Sequence, residues 1–277
     1  MYIDSHVHYA HKRFDNIRKT LLSQLHEGGL EAAVEAAISI DSNKNMQTVL
    51  QEYPWIFYSV GLHPNKVNED ASLDKAWEQD ILEALEHPKV VAIGETGLDY
   101  HRLRWETPQE KAASEYYKER QKLWFHRLIQ VAKEKDMPLI IHTRDAHEDT
   151  LRILRQYDWG EKPGVIHCFR GNIEEARAYV DLGFVLGIGG AVSFDTEEMT
   201  REALKELPLS NLILETDSPF LVPVGVLESR NTSANLPRIA GLVGNLKGLG
   251  ADEIMHKTAE KTKELFGLYG SAHYRKF

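Results

Sequence analysis

The feature that most constrains the fold is the alternation of short apolar runs with longer amphipathic stretches along the chain. Each run is rich in leucine or β-branched residues and has the length of a strand that is buried on both faces. The eight runs are Tyr2–Val7, Ala32–Ile40, Ile56–Leu62, Val90–Gly94, Leu139–Ile141, Val165–Ile166, Phe184–Ile188 and Leu212–Leu214. They predict eight strands of a parallel sheet.

The stretches between these runs carry apolar residues at three- and four-residue spacing and predict helices. They are Arg13–His26, Lys44–Tyr53, Leu73–Glu86, Glu110–Lys135, Ala146–Tyr157, Ile173–Leu182, Glu197–Glu206 and Asp252–Phe266. Alternating strands and helices imply parallel strands joined by right-handed crossovers. The simplest architecture is a (β/α)8 barrel that occupies residues 1–277 as one domain, and an open doubly wound sheet is the alternative. Pro219–Pro237 is then a long loop over the barrel mouth.

The length, charge and cysteine content of the chain exclude several classes of protein function. The chain has 277 residues, and a barrel of this type typically takes ~250. Its net charge is −9 and it has no evident basic face, which argues against a clamp on long duplex DNA. Bound divalent cations could still supply the positive charge that a phosphate needs. A single cysteine, no long apolar segment and no signal-like N-terminus predict a cytoplasmic protein without a membrane span.

Titratable residues stand at the carboxyl ends of six of the eight predicted strands, where the active site lies in such barrels. These residues are His6 and His8 at the end of strand one, His63 at strand three, Glu95 at strand four, His142 at strand five, His167 at strand six, and Glu215 and Asp217 at strand eight. Four imidazoles and two carboxylates from this set would be costly to crowd together without cations. We therefore predict a metal centre.

Six ligands are too many for one tetrahedral ion, so we expect two divalent ions that share a bridging carboxylate. Glu95 is central in strand order and is the predicted bridge. His6, His8 and Asp217 are expected to hold one ion, because strands one and eight are neighbours in a closed barrel. His142 and His167 are expected to hold the other.

With these motifs the chain resembles the TatD family of metal-dependent deoxyribonucleases, within the amidohydrolase-like barrels. The matching segments span nearly the whole chain: His6–His8, Val60–Pro64, Ile93–Tyr100, Ile141–Arg144, Gly164–Phe169, Leu214–Phe220 and Arg230–Asn231. The resemblance implies hydrolysis of nucleic-acid phosphodiesters with Mg²⁺, Mn²⁺ or Zn²⁺, and the same six ligands. DNA, through a single-stranded end, is the expected substrate, and no stable protein partner is expected. Arg170 and Thr232-Ser233 depart from residues common in the family, on loops expected to meet substrate.

The resemblance also suggests roles beyond metal binding. By analogy with other amidohydrolase-like barrels, Asp217 is expected either to accept the proton of the attacking water as well as to bind metal, or to act as a metal ligand only. His63 is a candidate contact to phosphate or to the leaving group, and the alternative is a packing histidine whose position Pro64 fixes. Arg144 and Arg230 have the planar guanidinium that pairs with phosphate, although either could instead anchor structure. Asp99 is expected either to orient a ligand histidine or to stabilise a turn.

Two other function classes stay open on sequence grounds. A metal-dependent amidase, lactonase or phosphotriesterase could use the same barrel, but many of these enzymes bridge their metals with a carboxylated lysine where this chain has Glu95. A binding module that has lost catalysis is disfavoured, because loss of activity usually removes ligands from such a set.

Overall fold

The structure, a computed structural model, describes residues 1–69, 77–161 and 163–268. Within these ranges eight strands pair in chain order, each parallel to the next. They are β1 (Tyr2–Val7), β2 (Leu30–Ala36), β3 (Ile56–Val60), β4 (Val90–Asp99), β5 (Leu139–Arg144), β6 (Gly164–Ile166), β7 (Val185–Ile188) and β8 (Leu212–Leu214). Sequential strand order confirms the predicted barrel and rules out a doubly wound sheet, whose strand order reverses partway across.

The barrel closes where the segment after β8 reaches β1. Val7 and Ser218 form a parallel bridge. The amide of His8 donates to the Ser218 carbonyl at 2.8 Å, and the amide of Asp217 donates to the His6 carbonyl at 3.0 Å. Hydrogen bonds therefore join the first and last strands at the end of the barrel where the strands' carboxyl ends meet, which we call the mouth.

Ten helices of six or more residues surround the strands in the described part of the chain. They are α1 (Arg18–Glu27), α2 (Ile40–Val49), α3 (Pro64–Glu69), α4 (Trp77–Leu85), α5 (Pro108–Glu134), α6 (His147–Leu154), α7 (Ile173–Asp181), α8 (Glu198–Glu206), α9 (Leu236–Lys247) and α10 (Ala251–Phe266). All eight predicted helices have a counterpart, although residues 73–76 of the predicted Leu73–Glu86 lie outside the described ranges. No described helix is both long and apolar enough to cross a membrane.

The three largest differences between the observed and the predicted strand limits each have a local cause. β4 runs to Asp99 and β5 runs to Arg144, because the two strands keep pairing as far as Asp99 opposite Arg144. Glu95 and His142 therefore lie within strands rather than after them. β2 stops at Ala36, since the Ser39 side chain accepts a hydrogen bond from the Ser42 amide and caps α2.

Apolar side chains fill the barrel below the mouth. One buried cluster inside the barrel contains Ile3, Val34, Ile140 and Ile213. Phe266 of α10 packs in the same cluster, at the end of the barrel where the strands begin. A cavity of about 880 Å³ opens at that end, and none of the predicted ligands lines it. Because the lower barrel is packed with hydrocarbon, the polar side chains are concentrated at the mouth.

Candidate metal centre

All the residues predicted to bind metal meet at the mouth. They are His6, His8, Glu95, His142, His167 and Asp217. Four of the six are buried, whereas His142 and Asp217 are partly exposed. His6, Glu95 and His142 belong to strands, and the other three follow β1, β6 and β8 closely. The barrel thus brings together ligands that are up to 211 residues apart in sequence (217 − 6).

His6 and His8 alternate with Val7 along β1, so their side chains point to the same side of the strand. Their Nε2 atoms are 3.2 Å apart. The His8 Nδ1 lies 2.8 Å from the Ala36 carbonyl oxygen, which fixes the proton on Nδ1 and leaves Nε2 free to bind a cation. His6 Nδ1 is buried and has no hydrogen-bond partner among the described residues.

Glu95 is the centre of the cluster, because its carboxylate oxygens approach five imidazoles. The distances are 2.8 Å to His142 Nδ1, 3.5 Å to His6 Nε2, 3.5 Å to His63 Nε2, 3.8 Å to His8 Nε2 and 3.9 Å to His167 Nε2. One oxygen faces His6 and His8, and the other faces the remaining three rings. The carboxylate therefore has the position that a bridge between two cations requires.

Asp217 completes the cluster from the side of β8. Its Oδ1 lies 3.2 Å from His8 Nε2 and 3.8 Å from His6 Nε2. The side chain is 14 % exposed, compared with 4 % for Glu95. Of the two carboxylates, Asp217 is therefore the one that solvent at the mouth can reach.

Among the residues that the structure describes, three groups of ligand atoms are each compact enough to surround one cation, with all their atoms within 4.8 Å of one another. The groups are His6 with Glu95 and His167, His6 with His8 and Asp217, and His63 with Asp99 and His142. The second is the set expected from the closed barrel. His142 and His167, expected together, instead fall in different groups, although both face the same oxygen of Glu95.

The donor atoms fit divalent cations in both chemistry and spacing. Ligand atoms of a tetrahedral ion bound at about 2.0–2.1 Å lie roughly 3.3 Å from one another. The contacts His6–His8, His8–Asp217 and His6–Glu95 measure 3.2, 3.2 and 3.5 Å. Mixed imidazole and carboxylate donors suit Zn²⁺ or Mn²⁺ better than Mg²⁺, which prefers oxygen ligands and water.

The ionisation of these groups follows from their mutual contacts. Burial alone would lower the pKa of His8, but the hydrogen bond and charge of Asp217 outweigh it and raise the pKa to about 9. Burial likewise opposes charge on His142, yet Asp99 and Glu95 raise its pKa to about 9. Burial would raise the pKa of Glu95, but the surrounding imidazoles lower it well below the usual range. A bound cation would take the place of the protons held by these rings.

Glu215, a buried carboxylate for which the sequence predicted no role, contacts the side of the His167 ring that faces away from Glu95. Glu215 Oε1 lies 2.9 Å from His167 Nδ1 and accepts a hydrogen bond from the Cys168 amide at 2.6 Å. Its Oε2 has no partner among the described residues, and a Cβ added at Gly187 would lie only 2.3 Å from that oxygen. The glycine thus makes room for a carboxylate that directs His167 Nε2 toward Glu95.

Two more buried carboxylates support the loops that carry the ligands. Glu35 accepts hydrogen bonds from the amides of Tyr9 and Ala10, just after His8. Asp4 accepts from the amide and hydroxyl of Thr216, the residue before Asp217. Burial raises the pKa of both acids to about 7. Their partners are distant in sequence, so no local pattern could have indicated them.

The expected substrate-contact residues occupy different surroundings. His63 lies inside the cluster, its ring 4.4 Å from that of His142, and burial together with the charge of His142 lowers its pKa to about 3. Arg144 is exposed, two residues beyond His142 on the same side of β5. Arg230 donates to the Arg13 carbonyl, with its guanidinium 5.7 Å from the centre of the Phe14 ring.

Two further residues considered from sequence have clear partners. Asp99 Oδ2 lies 3.1 Å from His142 Nε2, while its Oδ1 accepts from the His101 amide. It therefore both orients a candidate ligand and stabilises the turn after β4, the two roles that the sequence left open. Arg170 is paired with the buried carboxylate of Glu197.

A (β/α)8 barrel whose mouth gathers histidines and carboxylates in this way has the architecture of a metal-dependent hydrolase. The chain belongs to the TatD family, because the family model described as TatD related DNase matches residues 3–267. The ligand cluster thus lies in a chain that the family model covers almost from end to end.

Individual relatives agree with this assignment. The uncharacterized metal-dependent hydrolase YabD of Bacillus subtilis is 34% identical over 96% of this chain and 99% of its own. The 3'-5' ssDNA/RNA exonuclease TatD of Escherichia fergusonii is 31% identical over 96% of this chain and 98% of its own. The crystal structure of YjjV, a TatD homologue from Escherichia coli K12, superposes with a TM-score of 0.84 at 28% identity, covering 97% and 98%.

Proposed function

We propose that this protein hydrolyses phosphodiester bonds at the 3′ end of single-stranded nucleic acid, with two divalent cations held by the mouth cluster. The observation that carries the proposal is the shared use of Glu95 and His6. Glu95 approaches five imidazoles, and His6 belongs to two of the three compact ligand groups. Such sharing is expected when one set of side chains surrounds two neighbouring ions.

The proposed ligands are the six named from the sequence. His6, His8 and Asp217 would surround one ion, and Glu95 would bridge to a second ion on the side of His142 and His167. When bound, the pair of cations supplies Lewis acidity to the phosphoryl oxygens and lowers the pKa of water. Asp99 and Glu215 keep the rings of His142 and His167 turned toward Glu95.

Asp217 is the proposed acceptor of the proton released by the attacking water. Its carboxylate reaches the mouth, whereas Glu95 is almost completely enclosed. Burial would raise the pKa of Asp217, but the hydrogen bond from His8 and the positive charge of His167 lower it below its usual value. The group is therefore ionised at neutral pH and can accept a proton.

Substrate contacts are proposed for the cationic side chains around the mouth. Arg144 is exposed beyond the cluster and can pair with a phosphate in two parallel hydrogen bonds. His63 can donate to a phosphate or leaving group from within the cluster. The guanidinium of Arg230 already contacts a carbonyl of the chain, so its phosphate contact depends on a rearrangement.

Nucleic acid is favoured over small esters and amides by two considerations. The TatD proteins named as 3'-5' ssDNA/RNA exonucleases are similar to this chain along nearly its whole length. The net charge of −9 argues against tight binding to long duplexes, but it is compatible with a strand end that meets bound cations.

The test uses protein reconstituted with Zn²⁺ or Mn²⁺ and 5′-labelled oligonucleotides of DNA and RNA, single- and double-stranded. We expect single-nucleotide shortening of single strands from the 3′ end, abolished by a chelator. Lactones, amides and phosphotriesters are assayed beside them. Turnover of one of these compounds without cleavage of any oligonucleotide would contradict the proposal.

A further inference from the structure

The loop after β8 presents an exposed aromatic ring next to the metal cluster. Phe220 is 40% exposed, although it is a large apolar side chain. Its ring centre lies 5.9 Å from that of the His8 ring and 5.5 Å from that of His11, both at steep interplanar angles of 66° and 76°. No role in the cluster's chemistry uses this ring, since phenylalanine offers neither a ligand nor a proton.

Hydrogen bonds fix the loop that carries the Phe220 ring on both sides of this residue. Arg13 donates to the carbonyls of Pro219 at 3.1 Å and Ser229 at 2.7 Å, and Arg230 donates back to the Arg13 carbonyl. Two arginines therefore fasten the loop after β8 to the loop after β1, on either side of Phe220.

The inner side of this loop is fastened as well. The Phe220 amide donates to the Asp217 carbonyl at 2.8 Å. Asn231 is buried, and its side-chain amide donates to the carbonyls of Thr216 at 2.8 Å and Leu221 at 3.2 Å. The position of the ring is thus tied to the segment that carries the candidate ligand Asp217.

We propose that Phe220, flanked by His11, is a stacking platform for the base of the terminal nucleotide of a single strand. This inference rests on the proposed function. Proteins that bind single strands without sequence preference combine a backbone contact with stacking of bases on aromatic rings. A base stacked beside His8 would keep its own phosphate close to the cluster. In a chain of net charge −9, stacking adds affinity that does not depend on a large basic surface.

The test compares two single strands of one sequence, one with an ordinary 3′-terminal nucleotide and one with an abasic 3′-terminal residue. Base stacking on an aromatic ring contributes about 1–3 kcal/mol, so wild-type protein should have a KM about 5- to 150-fold lower for the strand with the base. Phe220→Leu keeps an apolar cover over His8 but loses the aromatic face. It should reduce this ratio toward one, mainly through KM.

Phe220→Trp should keep the ratio or increase it, because tryptophan offers a larger stacking face. Tyr116→Leu is the matched control, since Tyr116 is an exposed aromatic on α5 that is 59% accessible, and it should leave the ratio as in wild type. Binding of the same strands in chelator, followed by fluorescence anisotropy, gives a second readout that does not depend on turnover. Melting temperatures identify a variant that has lost its fold.

The outcomes distinguish failure of the stacking platform from failure of the proposed nuclease function. If wild type cleaves both strands and Phe220→Leu keeps the full discrimination, the platform is wrong and the proposed nuclease stands. If wild type discriminates by less than twofold, the platform is also wrong. If reconstituted wild type cleaves neither strand, the proposed function fails, and the platform fails with it.

Discussion

Replacement of Glu215 by glutamine isolates the charge behind His167. The Glu215 Oε1 atom makes both contacts, to His167 Nδ1 at 2.9 Å and to the Cys168 amide at 2.6 Å, while Oε2 is unpartnered among the described residues. Glutamine can therefore keep its carbonyl oxygen in the Oε1 position and place its amide nitrogen in the Oε2 position. The hydrogen bond from the Cys168 amide, the contact with His167 Nδ1 and the side-chain volume are preserved, and only the negative charge is removed.

The magnitude follows from this geometry. Loss of a partner that orients a metal-binding histidine typically weakens metal binding by about 10- to 100-fold. Because glutamine keeps both contacts, we expect Glu215→Gln near the lower limit, about 10-fold or ~1.4 kcal/mol. Glu215→Ala removes both contacts and leaves a cavity, so we expect the upper limit, about 100-fold.

The assay is competition for Zn²⁺ against a chromophoric chelator, followed in the same samples by thermal unfolding of the metal-free protein. Glu197→Gln is the matched control, because Glu197 is also a buried carboxylate but is bound to Arg170 rather than to a candidate ligand. Unchanged metal affinity in Glu215→Gln would refute the positioning role. An equal loss in Glu197→Gln would assign the effect to general destabilisation.

The remaining predictions concern the central carboxylate Glu95, the hydrogen bond of Arg230 to the loop after β1, Gly187 beside Glu215, and the buried Lys89. Glu95→Ala should abolish turnover and lower the metal content, measured by elemental analysis, because two like charges lose the carboxylate between them; near-normal turnover would contradict the shared site. Arg230→Ala should lower the melting temperature, because it removes the hydrogen bond to the Arg13 carbonyl that joins two loops. A loss of about 1.5–3 kcal/mol in kcat/KM at an unchanged melting temperature would instead favour a phosphate contact. Gly187→Ala should weaken metal binding in the chelator competition, since the added methyl group displaces the carboxylate behind His167. Burial lowers the pKa of Lys89 to about 8, below the ~10.4 of a lysine in an unfolded chain. Between these two pH values the unfolded state binds more protons than the folded state, so the free energy of unfolding should rise as the pH rises. Urea denaturation at pH 7.5 and 9.5 should detect this rise in the wild-type protein and find it absent in Lys89→Met.

Patterns with a short period were visible in the sequence. Apolar runs gave the eight strands, with β1 and β8 at their predicted limits. The closed barrel then brought His6 within 3.8 Å of Asp217, as the neighbouring first and last strands require. The strict alternation of elements was sufficient because a parallel barrel follows directly from repeated strand–helix units.

Features that depend on distant contacts were missed. The short helix α3 (Pro64–Glu69) begins directly after His63, and α9 begins at Leu236, at the end of the predicted loop Pro219–Pro237. Glu215 looked like any strand-end carboxylate until the fold brought it against His167. Burial of a charge beside a particular ring is a property of the packed barrel, and periodicity carries no information about it.

The bridge between Val7 and Ser218 has a consequence for biosynthesis. A chain emerging from the ribosome exposes His6 and His8 early, but their partner Asp217 is synthesised 209 residues after His8 (217 − 8). Until β8 and the segment after it have been made, the first strand has no neighbour on its open side. In the proposed two-cation site, capture of cations by the complete set of candidate ligands is therefore a late event, coupled to the last pairing of the sheet. Metal retention would then report whether a newly made molecule has joined its first strand to its last.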